Sequence, residues 1–244
     1  MTCEGKVAVV TGAAGSGMGR SIALTLARER AAVVVNYRTS HEQANQVVDH
    51  IREQGGSAVA VQADVFSAEG CQALVEATIA QLGRVDICVI SPGSGWHPAS
   101  PDQLAAAEAL EDITHEVAPC LHLLPLVLPA MYERAWGRII AITTNPHLPS
   151  PAYAYNVAKA ARAEVMLQAQ NAAWQHNVTV NVVAPGPVDP IAGFEAAVEQ
   201  CEHGPTWGQR KTASPQDVAE GVAFLCSEAG RFITGGTLPF HFRG

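Results

Sequence analysis

No unbroken run of about 20 apolar residues, the length that spans a bilayer, occurs in this 244-residue chain, and no membrane-crossing segment is expected. Basic residues are scarce as well. Fifteen Lys and Arg face 23 Asp and Glu, for a formal net charge of −8, and they stand singly along the chain. With no basic stripe to neutralise a row of phosphates, nucleic acid is excluded as an expected partner. The six cysteines (Cys3, Cys71, Cys88, Cys120, Cys201 and Cys226) contain no CxxC pair, and the nine histidines contain no HxxxH. Neither a metal site nor a disulfide framework is expected, and Cys88 and Cys226, within apolar runs, read as buried thiols. The polar start Met1-Thr2-Cys3-Glu4-Gly5-Lys6 leads into an apolar strand with no secretory apolar region, so the expected location is the cytoplasm.

What is present is core-forming material: 48% hydrophobic against 16% charged residues. Val7-Ala8-Val9-Val10-Thr11 is a continuous apolar run suited to a strand buried on both faces. A glycine-rich turn follows it, then a helical stretch from Arg20, then the strand Ala32 to Tyr37, which together form a βαβ unit. The alternation continues with strands at Ala58–Val61, Ile87–Ile90, Arg138–Ile142, Val178–Val183 and Leu238–Phe240. Between them helices are predicted near Glu42–Glu53, Ala73–Leu82, Gln103–Arg134, Tyr153–His176 and Pro215–Cys226. Pro119, Pro125 and Pro129 are expected to kink or divide the longest of these. With no linker or internal repeat, the expected fold is α/β: a single-domain, doubly wound parallel sheet (Rossmann-like) over residues 1–244, with helices on both faces. Ligands of such sheets bind beyond the carboxyl ends of the strands.

Four groups of residues stand at or beside those ends. Thr11 to Gly19 joins strand to helix, where glycines let the backbone approach a pyrophosphate and free N–H groups at the helix start receive its charge. Asn36-Tyr37-Arg38-Thr39-Ser40 ends the second strand with an arginine beside hydroxyls and no acid, which suits a 2′-phosphate and favours NADP over NAD. Tyr155 and Lys159, at i and i+4, share a helix face, and an ammonium beside a phenol lowers its pKa towards that of a working acid/base. Thr143-Thr144 closes the strand before that helix, bringing hydroxyls to the same edge.

With these motifs in this order, the chain resembles the short-chain dehydrogenase/reductase family over nearly its whole length, and looks most like its ketoacyl-carrier-protein-reductase-like branch. Further matching pieces are Ala63-Asp64-Val65, Asp86 to Gly93, Gly137 to Ile140, Asn181 to Val188 and Ile233 to Gly236. The resemblance implies Tyr155 as proton donor in carbonyl reduction, Thr144 at the position of the family's serine, and Lys159 binding the nicotinamide ribose while lowering the tyrosine pKa. It implies a cofactor-contacting set of Gly12, Ser16, Gly17, Met18, Gly19, Tyr37, Arg38, Thr39, Asp64, Val65, Ser91, Gly93, Tyr155, Lys159, Pro185, Gly186 and Val188. A homotetramer or homodimer built through the long helices is implied too.

Departures from the family pattern are equally definite. Four residues, not the usual three, separate Gly12 from Gly17, so a bulge is expected at Gly15-Ser16. Ile90-Ser91-Pro92-Gly93 replaces the family's Asn-Asn-Ala-Gly and removes amides that brace the sheet. The family's relay asparagine falls at Glu116, or at His115 if the alignment slips by one. Two residues are missing between Thr144 and Tyr155, and the threonine that grips the carboxamide is Pro190. Trp96, His97 and His147 are candidates for the substrate mouth, and the Gly193–Trp207 segment for specificity. The leading expectation is an NADP(H)-dependent enzyme transferring hydride between nicotinamide and a ketone or secondary alcohol. A nucleotide-binding protein without turnover and a non-redox, dehalogenase-like member with a blocked dinucleotide cleft are the alternatives.

Overall fold

A computed structural model describes residues 2–145, 152–205 and 210–240. In chain order the elements are β1 (Val7–Val10), α1 (Met18–Arg28), β2 (Ala32–Tyr37), α2 (His41–Glu53), β3 (Ala58–Gln62), α3 (Ala68–Leu82) and β4 (Ile87–Ile90). There follow α4 (Ala106–Glu133), β5 (Gly137–Ile142), α5 (Tyr153–Ala173), β6 (Val178–Pro185), α6 (Glu195–His203), α7 (Pro215–Cys226) and β7 (Thr237–Phe240). The strands form one sheet in the order β3-β2-β1-β4-β5-β6-β7, every neighbouring pair parallel. Chain order reverses between β1 and β4, and that switch opens the crevice where ligands of such sheets bind.

Successive strand residues feed opposite faces, as a two-residue period requires. Ala8, Val10, Val33, Val35, Ile140 and Ile142 pack with α1, α2, α6 and α7. Val9, Val34, Ile139 and Ala141 pack on the other face with α3, α4 and α5. Burial on both sides explains why these strands read as continuous apolar runs. Helix ends are marked locally. Ser67 caps α3, which closes on left-handed Gly83, and Ser214 with Asp217 forms a capping box ahead of Pro215 on α7.

The expected division of the long helix does not occur: α4 runs unbroken from Ala106 to Glu133 with all three prolines inside it. Pro125 and Pro129 lie on its exposed side, where a helix wrapped round a core curves outward and its hydrogen bonds are weakest. The opposite side is held against the core by Cys120, Leu123, Val127 and Met131. Among the described residues α4 alone is long and apolar enough to cross a bilayer by length and composition, yet its inner face, with Glu116 fully buried, is part of the protein core.

All six cysteines are buried and free. Burial pushes Cys3 and Cys120 up to about 11, Cys71 and Cys88 up to about 12, and Cys201 and Cys226 upward, from 9.0. Because the folded values lie above the unfolded one, this stabilisation is complete below pH 9.0 and is lost as pH rises through about 11 to 12. Two outcomes are expected: the folded chain reacts slowly with an aromatic disulfide reagent while the denatured chain yields six thiols, and the urea midpoint falls between about pH 8 and about pH 10.

Candidate active site

Asn36, buried at the end of β2, sets the glycine turn. Its Oδ1 accepts the Gly12 N–H at 3.2 Å, its carbonyl accepts the Ala13 N–H at 2.8 Å, and its Nδ2 donates to the Val61 and Ala63 carbonyls. Gly12 adopts φ +62°, and a Cβ there would meet the Pro92 ring at 3.3 Å. At Gly19 a Cβ would lie 2.4 Å from the Gly12 carbonyl oxygen, so α1 can start against the turn only with glycine at this position. Ala13 and Ala14 turn inward, and Gly15, Ser16 and Gly17 stand exposed. Gly17, the N-cap of α1, offers no side-chain cap, and the first turn carries no acid. The positive end of that helix is thus open to an anion. Met18, next in the chain, is partly buried against the core.

Beyond the turn a cleft is lined by Gly12, Asn36, Arg38, Asp64, Pro92 and Gly93, among others. Arg38 and Thr39 are exposed at its rim, and the Arg38 guanidinium stands 5.6 Å from the Phe66 ring. Tyr37 is buried, with its hydroxyl 2.6 Å from His41 Nδ1. Asp64 folds back on its own turn, accepting the Phe66 N–H, while Val65 is buried.

At the other end of the crevice, Thr144 follows β5 with its hydroxyl 3.4 Å from the Pro185 carbonyl, which also accepts the Asn145 N–H. Tyr155 lies in the first turns of α5, partly buried, with Trp96 edge-on at 5.3 Å between ring centroids. Lys159 Nζ is 5.3 Å from the Tyr155 ring centroid and 2.9 Å from Glu116 Oε1. Ser94 donates to the same oxygen from its amide and its hydroxyl. One helical turn beyond Lys159, the fully buried Arg162 places its Nε 2.8 Å from Glu116 Oε2, although that N–H is directed at the Glu116 carbonyl and Oε2 receives no aligned hydrogen bond. The remaining Arg162 donors reach the carbonyls of Ser91, Pro92 and Ile142. They tie the loop after β4 and the end of β5 to α5.

These contacts decide between Glu116 and His115 and reverse the expected direction of the Tyr155 shift. Glu116 faces the site, and His115 packs edge-on against Phe66. The Tyr155 pKa is raised, not lowered. Burial, then the Glu116 charge, pushes Tyr155 up to about 12, and Arg162 is the cation that opposes them. Burial and then Arg162 bring Lys159 down to about 8 against the pull of Glu116.

Among the sequence candidates, Lys159, Glu116 and Gly93 are brought together so closely that a Cβ on Gly93 would lie 2.1 Å from Glu116 Oε1. Ser91 donates its amide to Thr11 Oγ1. Gly186 gives its amide to Phe240 on β7, and Val188 bridges to Ala213, so this segment is tied to its neighbours along its length. His97 sits 3.5 Å from Asp112 on α4. His147 and Trp207 lie outside the described residues. Arg162 and His41 were not singled out from sequence, and Asn36 stood there only as the first residue of the Asn36–Ser40 strand end. A charged residue on the Tyr155 and Lys159 stripe of an alanine-rich helix was the available signal for Arg162. Among the described residues no group of three or more His, Cys, Asp or Glu could hold a metal ion.

A family profile described as short chain dehydrogenase matches residues 6–200. The 7alpha-hydroxysteroid dehydrogenase of Escherichia coli K12 is 33% identical over 241 residues, covering 95% of this chain and 91% of that protein. The solved structure of a 7 alpha-hydroxysteroid dehydrogenase complexed with NADH and 7-oxo glycochenodeoxycholic acid superposes with a TM-score of 0.83 at 32% identity, covering 98% and 94% of the two chains. An acetoin dehydrogenase from Salmonella typhimurium superposes with a TM-score of 0.82 at 28% identity, covering 98% and 94%.

Proposed function

The chain belongs to the short-chain dehydrogenase family, and from that membership we propose that it is an NADP(H)-dependent oxidoreductase interconverting a ketone and a secondary alcohol. The reading treats residues 1–244 as one dinucleotide-binding and catalytic domain acting on a small carbonyl or alcohol substrate, in the cytoplasm. The observation that carries it is the joint placement of an anion-ready helix start and the Tyr155–Lys159 pair at one edge of one parallel sheet.

The residues present fit a phosphorylated dinucleotide. The glycine turn leaves Gly15 and Gly17 open, with nothing within 4 Å of a built Cβ, and α1 begins uncapped. Gly12, Ser16, Gly17, Met18 and Gly19 would hold the pyrophosphate, Tyr37, Arg38 and Thr39 the ribose phosphate, and Asp64 and Val65 the adenine. Ser91, Gly93, Lys159, Pro185, Gly186 and Val188 would line the nicotinamide end. When bound, the nicotinamide supplies a hydride to the carbonyl carbon or accepts one from the alcohol. Tyr155 delivers the proton that turns the carbonyl oxygen into the alcohol, and Thr144 donates a hydrogen bond to the same oxygen as charge gathers there. Lys159 anchors the ribose side of the site, and Glu116 fixes Lys159.

NADP is favoured because no acid follows β2 before Glu42, while Arg38 stands exposed at the cleft rim. The solved relative carries NADH, so the discrimination is a property to be measured on this chain. A charge-assisted hydrogen bond contributes about 1.5–3 kcal/mol, so Arg38→Ala is expected to weaken NADPH about 10- to 100-fold and NADH little. Cofactor titration by fluorescence, beside ketone-dependent NADPH oxidation, tests both halves; equal loss for the two cofactors would remove the phosphate role. A second reading, binding without turnover, draws on the Glu116 carboxylate that engages Lys159, and tight NADPH binding with no turnover on any ketone would favour it. The open cleft speaks against the dehalogenase-like alternative. Exposed Leu110 and Leu121 on α4 and Val157 on α5 support a homodimer or homotetramer through those helices.

A further inference from the structure

We propose that Arg162 is a positioning residue of this site, a second buried cation that restores beneath Tyr155 the positive charge that Glu116 would otherwise cancel. The inference rests on Tyr155 and Lys159 being the acid and amine of the reaction. An acid at Glu116 places a carboxylate 2.9 Å from the Lys159 ammonium, inside a fully buried pocket. Alone, that pair would be neutral overall and would give the phenol no help in carrying negative charge. Arg162 changes the balance: two cations then share one carboxylate, Lys159 on Oε1 and Arg162 on Oε2, so the cluster carries one positive charge more than the pair alone, net positive while Lys159 is protonated and neutral rather than negative above about pH 8.

The guanidinium suits this task. It is fully buried and held from several directions by the backbone carbonyls of Glu116, Ser91, Pro92 and Ile142. Its planar fork is therefore locked, and its charge is fixed at one point relative to the phenol. Tyr155, Lys159 and Arg162 lie at i, i+4 and i+7 of α5, so sequence spacing puts them on one stripe of that helix. The ionisable groups facing Lys159 are Glu116 and Cys120 from α4, and Arg162 and Tyr155 from its own helix; Ser94, from the loop after β4, adds uncharged donors to Glu116. The opposing signs are already visible: Glu116 raises Tyr155 and Arg162 lowers it.

Lys6, Lys159 and Lys211 are the only lysines of the chain, so the side-chain carbon resonances of 13C-lysine-labelled protein resolve Lys159 without substrate or cofactor. A charge at this range moves a pKa by about 1–3 pH units. Arg162→Met is expected to raise the Lys159 midpoint by about that amount, Glu116→Gln to lower it, and the double variant to return it towards the parent. In alcohol oxidation, which needs the ionised phenol, the rising limb of kcat/KM should move the same way: to higher pH in Arg162→Met and lower in Glu116→Gln. An arginine that only braced the strand ends would leave the Lys159 midpoint in place in every folded Arg162 variant, and that result would overturn the proposal. Should Arg162→Met not fold, Arg162→Gln and Arg162→Lys decide. A raised midpoint in the first with a parent-like midpoint in the second supports the pair, and an unmoved midpoint in Arg162→Gln rejects it. Coupled midpoints in a protein that turns over no ketone would sink the reductase reading and leave the charge relay between these side chains intact.

Discussion

Tyr155→Phe is expected to lower kcat for ketone reduction by about 10²- to 10⁴-fold, the span of general acid catalysis, while the Kd for NADPH stays within about twofold. The phenylalanine keeps the ring that meets Trp96 edge-on, so packing at the mouth is preserved and only the proton is removed. Stopped-flow or steady-state NADPH oxidation beside a fluorescence titration separates the two effects, and unchanged turnover would end the assignment of Tyr155 as the acid. The direction of the reaction bears on the same residue. A phenol pushed up to about 12 is protonated across the neutral range, ready to donate in reduction and poorly suited to accept in oxidation. Alcohol oxidation is accordingly expected to climb with pH above neutrality, whereas reduction stays nearly flat until the phenol begins to ionise.

Much of this was legible before any coordinates, and the limits are as informative as the reach. The strands were readable because burial on both faces forces unbroken apolar runs such as Val7–Val10 and Ile139–Ile142. Tyr155 and Lys159 were readable because four residues along a helix return to the same face. Three prolines in α4 misled, since proline costs a helix its own hydrogen bonds but says nothing of the tertiary packing that can outweigh that loss. Glu116 was placed only to within a residue, because an alignment of one motif cannot say which side of a helix faces the site. Arg162 escaped altogether. Its meaning depends on a carboxylate from another helix and carbonyls from two strand ends, 20 to 71 positions away in the chain. A pair expectation for Tyr155 and Lys159 in isolation therefore left out the burial and the Glu116 charge that raise the phenol and the Arg162 charge that opposes them.

Two alanine substitutions in the glycine turn are expected to separate folding from ligand approach. At Gly19 the added methyl would sit 2.4 Å from the Gly12 carbonyl oxygen and 3.2 Å from the Ala13 Cα, backbone against backbone, with no flexible side chain to yield. Relief requires α1 or the turn to move, so Gly19→Ala should cost about 1–3 kcal/mol, read as a lowered urea midpoint, and should weaken NADPH as well. Gly17 is different in kind. Its backbone is extended, at φ −89° and ψ −164°, a region open to any residue, and a Cβ there meets nothing within 4 Å. Gly17→Ala should therefore lower the urea midpoint less than Gly19→Ala, by no more than the about 0.5–1 kcal/mol that separates alanine from glycine at an N-cap. The same methyl stands at the open N-terminus of α1, where the pyrophosphate must come within hydrogen-bonding distance of the backbone amides. Losing one such charge-assisted contact, about 1.5–3 kcal/mol, weakens NADPH about 10- to 100-fold. A folded Gly17→Ala protein as tight for NADPH as the parent would place the phosphates elsewhere, because a methyl at the approach to these amides would then obstruct nothing.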